Sequence, residues 1–73
     1  MLRRSILEAL RAKYEAEIAE ADATANIYLE NSVGIGEHPQ HLEEVNKQIE
    51  KIANAKEKLE VLDEFEPAKG DQL

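Results

Sequence analysis

Apolar residues recur three and four positions apart along two stretches of this chain, and the recurrence lapses once, over residues 32–38. In the first stretch Leu7, Leu10, Tyr14, Ile18, Ala21, Ala25 and Tyr28 keep the spacing that gathers side chains on one face of an α-helix. The pattern predicts a helix over 2–31. Ala9, Ala12, Ala16, Ala19 and Ala23, with Ile27, form a second stripe on nearly the opposite side, and charges fill the flanks between. Alanine is the best helix former and is common on helix surfaces. The sharper reading makes Ala12, Ala16, Ala19, Ala23 and Ile27 a second interface, since small side chains let two helix backbones approach.

In the second stretch Leu42, Val45, Ile49, Ile52, Lys56 and Leu59 follow a heptad with Lys56 as its one polar core position, and Leu62 and Phe65 continue after a slight phase shift. This predicts a helix over 39–65. Between the two, Gly34 suits the left-handed residue that ends many helices. Gly36 gives a second flexible point. Pro39 fits the first turn of the next helix, where its missing N–H is not needed. Glu43 and Glu44 lie near that start and favour the helix dipole.

Two helices of similar length and one short connector predict an all-α antiparallel hairpin. Its seam would set Leu7, Leu10, Tyr14, Ile18, Ala21, Ala25 and Tyr28 against Leu42, Val45, Ile49, Ile52, Leu59, Leu62 and Phe65. Charge supports the orientation. Arg3, Arg4, Arg11 and Lys13 crowd the start of the first helix, and Glu57, Glu60, Asp63, Glu64 and Glu66 crowd the end of the second. Each cluster opposes its own helix dipole. Side by side in a hairpin they attract, with Arg11 near Glu60 and Glu15 within reach of Lys56.

At 73 residues the chain is near the lower limit for an independent core. It has no cysteine, so disulfides and thiolate metal sites are excluded. A partner subunit is the remaining support for so small a fold, and the hairpin is expected to dimerise into a four-helix bundle. Residues 1–66 make the helical unit and 67–73 a flexible tail. A net charge of −7 disfavours direct binding to nucleic acid or to anionic membranes. Neither a leader peptide nor a membrane span is expected, which makes the cytoplasm the default compartment.

Little in the sequence carries chemistry. His38 and His41 are three apart, a spacing at which two imidazoles can share a metal, but no third ligand is fixed. The simpler reading is that they cap the second helix. Gly34-Ile35-Gly36 follows a helix rather than a strand, unlike the glycine loops that hold phosphates. Tyr14 and Tyr28 read as core residues with hydroxyls at the margin. No nucleophile, base and orienting group assemble, so neither a catalytic residue nor a cofactor is expected.

The run from Tyr28 to Pro39, Tyr-Leu-Glu-Asn-Ser-Val-Gly-Ile-Gly-Glu-His-Pro, resembles a segment of small uncharacterised helical proteins of tailed bacteriophages. Glu44, Ile52, Ala53, Ala55, Lys58 and Leu59 are similar in spacing. The resemblance implies a phage-borne accessory or structural protein acting in the bacterial cytoplasm, and it carries no activity and no catalytic residue. The expected function is a non-enzymatic structural or protein-interaction module working as a homodimer. One alternative is an acidic inhibitor or nucleic-acid mimic that binds a basic host or phage protein. The other is a metal-binding bundle using His38 and His41.

Overall fold

The structure is a computed structural model that describes residues 2–31 and 39–66. Helix α1 runs Leu2–Asn31 and helix α2 runs Pro39–Phe65, packed side by side as an antiparallel hairpin. Neither helix has glycine or proline in its interior, so nothing kinks them. The result is a rod of 55 × 17 × 16 Å. Its radius of gyration is 16.8 Å, against roughly 11 Å for a compact chain of this length. Gly34, Gly36 and His38 lie outside the described residues, as does the segment 67–73, while Pro39 opens α2.

The seam is one heptad frame on each helix. On α1 it runs through Leu7, Arg11, Tyr14, Ile18, Ala21, Ala25 and Tyr28, all half-buried or buried. On α2 it runs through His41, Val45, Gln48, Ile52, Ala55, Leu59, Leu62 and Glu66. Register is fixed near the connector, where Tyr28 and His41 meet edge to face with ring centroids 5.6 Å apart. Steps of seven along each helix from that pair bring Ala21 level with Gln48, Tyr14 level with Ala55 and Leu7 level with Leu62. At Ala21 and Ala55 a large residue thus faces a small one, which lets the two rods approach closely along the middle of the seam.

The α2 frame differs from the one expected. Leu42, Ile49 and Phe65 are exposed rather than packed in the seam, and Lys56 is exposed rather than a core entry. His41, Gln48 and Ala55 hold the places assigned to Leu42, Ile49 and Lys56. The two frames share Val45, Ile52 and Leu59 and differ by a small rotation of α2. The observed frame buries Ala55 in place of a lysine ammonium, whose desolvation would cost several kcal/mol. It also reaches Leu62 without a phase shift. Leu7, Leu10, Tyr14, Ile18, Ala21, Ala25, Tyr28, Val45, Ile52, Leu59 and Leu62 all lie in or beside the seam.

Helix ends are complemented across the hairpin. The first turn of α1 has no acidic residue and the last turn of α2 no basic one. The basic charge missing from the end of α2 comes from α1. Arg3 donates to the carbonyl oxygen of Phe65, one of the orphan acceptors at the end of α2. Arg11 donates to Asp63 at 2.6 Å and to Glu66 at 2.8 Å. These hydrogen bonds, to Glu66 first and Asp63 next, raise the pKa of the guanidinium above its ordinary value. The expected attraction between the clusters is present, with the partners one and nearly two turns further along than Glu60. Within α1, Thr24 and Asn26 return their side chains to the carbonyls of Glu20 and Asp22, which accommodates two weak helix formers.

Gln48 is 7% exposed and is the one buried polar residue among those described. A buried amide in a heptad seam fixes register at a cost in stability. Gln48→Leu is expected to raise the melting temperature by several degrees, since net gains near 1 kcal/mol move a domain of this size by about 4–8 °C. Thermal melts followed by circular dichroism check this. A lower melting temperature would mean the amide contributes more than its burial costs.

Candidate functional site

Exposed apolar residues lie toward both ends of the hairpin, Ile27, Leu29 and Leu42 near the connector and Leu2, Ile6, Val61 and Phe65 at the open end, where the last two border a groove. There Leu7, Leu10 and Tyr14 of α1 face Val61, Leu62 and Phe65 of α2 across a groove of about 490 Å³. Asn54, Glu57 and Lys58 form its polar edge. The groove follows from the heptad frame. With Ala55 and Leu62 in the seam, Asn54, Lys58, Val61 and Phe65 fall together on one side of α2, and Leu10 falls on the same side of α1. Phe65 is 53% exposed and Val61 45% exposed. The Lys58 ammonium stands 5.4 Å from the centroid of the Tyr14 ring, a cation–π distance that holds one wall in place.

The two long flanks of the rod differ in charge. The groove flank continues along α1 through Lys13, Glu17 and Glu20 and along α2 through Lys47 and Lys51, so both signs are present. Lys13 pairs with Glu17 at 3.2 Å and Lys47 with Glu44 at 3.3 Å. The other flank carries Arg4, Glu8, Glu15 and Asp22 on α1 and Lys56, Glu60 and Asp63 on α2, with Leu29, Leu42 and Ile49 exposed between them and Arg4 paired to Glu8 at 3.5 Å. Carboxylates dominate there. On the back of α2, Glu43, Glu50, Glu57 and Glu64 are exposed at every seventh residue. On the back of α1, Ala12, Ala16, Ala19, Ala23 and Ile27 are exposed.

For chemistry the described residues hold little. His41 sits against Tyr28, and no group of three His, Asp or Glu residues comes together as a metal site among the described residues. Among the described residues no helix is long and apolar enough to cross a membrane. Sequence reasoning placed Phe65 in the core and left Val61 without a role. The signal for the groove was the position of these two relative to Ala55 and Leu62, and it is readable only once the frame of α2 is known. No protein-family model, curated protein or solved structure matches the chain.

Proposed function

We propose that the protein is a non-enzymatic oligomerisation and interaction module, in which two hairpins dock to complete a four-helix bundle. One observation carries this reading. Leu62 is the only large apolar residue buried among those described, whereas Leu2, Ile6, Ile27, Leu29, Leu42, Ile49, Val61 and Phe65 are exposed. The remaining core is alanine: Ala21, Ala25 and Ala55. Alanine packs two helices closely but removes little area from water, and stability follows apolar area at about 25 cal/mol per Å². A second copy supplies the missing area, as in other bundles built from helical hairpins. The lack of cysteine fits a reducing compartment, and the cytoplasm, phage-infected or not, is the setting proposed.

Light scattering at micromolar concentration tests this reading, with an expected mass near twice the 8.2 kDa of one chain. A cooperatively folded species of single-chain mass at that concentration would remove it. A second reading draws on the Glu43, Glu50, Glu57 and Glu64 row. Repeats of seven place these carboxylates about 10.5 Å apart along the helix, a regular acidic ridge that suits the basic groove of a protein partner. That reading requires a complex that weakens steeply with salt.

A further inference from the structure

If the protein pairs as proposed above, the structure also decides which face pairs and in which direction. The inference below rests on that reading. The flank bearing Leu42 and Ile49 carries Glu8, Glu15, Asp22, Glu60 and Asp63 against Arg4, Arg11 and Lys56, so an excess of carboxylates remains after Arg4 pairs with Glu8 and Arg11 with Asp63. Docking two copies there would bring like charges together, which costs affinity and misdirects encounter. The groove flank carries the apolar wall of Leu7, Leu10, Tyr14, Val61 and Phe65 and a mixture of charges. In a rod of 55 × 17 × 16 Å, one flank offers a footprint on the order of 800 Å², the area each partner contributes to an ordinary stable interface.

Two symmetric arrangements are open to a pair docked through this flank. In the first, the two-fold axis runs along the rods. Both open ends then lie at the same end, and α1 of each copy faces α2 of the other. In the second, the axis runs across the rods. The hairpins are then head to tail, and each helix faces its own duplicate. The charges separate the two. On the groove flank the acids of α1, Glu17 and Glu20, lie at mid-rod, and so do the cations of α2, Lys47 and Lys51. With the axis along the rods, the register anchored at Tyr28 and His41 brings Glu17 and Glu20 level with Lys51 and Lys47 of the second copy. Lys13 comes level with Glu57 in the same way. Head to tail about the middle of the rod, Glu17 would lie beside its own copy and Lys51 beside Lys51, and only Glu20 would find a cation, Lys13. The apolar groove would also face the polar mid-flank and connector end rather than its twin.

We infer that a second copy of this chain docks groove to groove with both open ends together. Phe65 and Val61 of each copy lie over Leu10 and Ile6 of the other, and the Glu17/Glu20 to Lys51/Lys47 pairs fix the direction. Each interfacial ion pair sits at the edge of the contact, where charge sets orientation and rate of encounter more than strength.

Spin labelling reads the direction. The chain lacks cysteine, so Glu64→Cys and Glu43→Cys give single labels on the exposed back of α2, at the open end and the connector end. In dimers of labelled Glu64→Cys alone, the expected separation is roughly 20–35 Å, a bundle width plus two label arms. Mixed dimers of the two variants should add the rise of 21 helical residues, about 31 Å along the axis. The reversed pattern, long between like labels and short in the mixture, would overturn the direction while leaving the dimer intact. Absence of any distance between copies, with single-chain mass by light scattering, would overturn the dimer reading itself. A charge swap gives an independent readout. Lys51→Glu is expected to raise the dimer dissociation constant about tenfold, and adding Glu17→Lys to it should restore most of the loss. An unchanged constant in Lys51→Glu, or no recovery in the double variant, would overturn the proposed pairing.

Discussion

Ala55→Glu is expected to abolish the folded hairpin. Ala55 is 1% exposed and level with Tyr14 in the seam. A glutamate there must enter a space shaped for one methyl group, and overpacking alone costs about 1–3 kcal/mol. It must also lose the hydration of its carboxylate or take up a proton, which adds several kcal/mol. A single core in a chain this short rarely supplies more than about 3–5 kcal/mol. The expected result is loss of the cooperative thermal transition and of most ellipticity at 222 nm. The informative control is one residue away. Lys56→Glu changes an exposed position and should fold with nearly native helicity. The pair of variants distinguishes the two frames of α2 directly. Tolerance of glutamate at 55 with unfolding at 56 would return Lys56 to the seam.

Phe65→Gln is expected to leave the hairpin folded and to weaken its pairing ten- to a hundredfold. The phenylalanine ring is 53% exposed in the single chain, so its removal exposes little that is now covered. Buried by a second copy, it would contribute about 1.5–3 kcal/mol, and each 1.4 kcal/mol is a factor of ten in dissociation constant. Glutamine keeps the charge at the open end unchanged and is a good helix former, so the ionic contacts of Arg11 with Asp63 and Glu66 should persist. Sedimentation equilibrium alongside circular dichroism reads both quantities. Native helicity with an unchanged dissociation constant would move the interface away from the groove.

The helices were legible because their apolar spacing persists over many turns, and their orientation because the clusters of Arg3, Arg4, Arg11 and Lys13 and of Glu57 to Glu66 make sense only side by side. The seam of α1 was legible for the same reason: its large and small apolar residues fall in one frame. The frame of α2 was not. Leu42 and Ile49 outweigh His41 and Gln48 in hydrophobicity, so the larger residues drew the seam toward themselves. Ala55 adds only one methyl group to its frame, yet its place opposite Tyr14 and the cost of burying Lys56 decide the rotation. That error hid the groove, because Val61 and Phe65 emerge on one flank only in the observed frame. The ionic partners of Arg11 were misplaced by one to nearly two turns for a different reason. A long guanidinium side chain reaches beyond the residue level with its own backbone, and Arg11 extends toward the end of α2, where two carboxylates, Asp63 and Glu66, accept from it together.

The unbroken interiors of α1 and α2 bear on what such an assembly does mechanically. A helix without a hinge residue bends only gently, so the hairpin behaves as a strut that holds its two extremities a fixed distance apart. Two struts joined along one flank with matching polarity would display both connectors at the same extremity, a bundle width apart. A target that engages one connector would then find the other already in place, and such bivalent engagement strengthens binding by roughly 10²–10⁴ without any new contact.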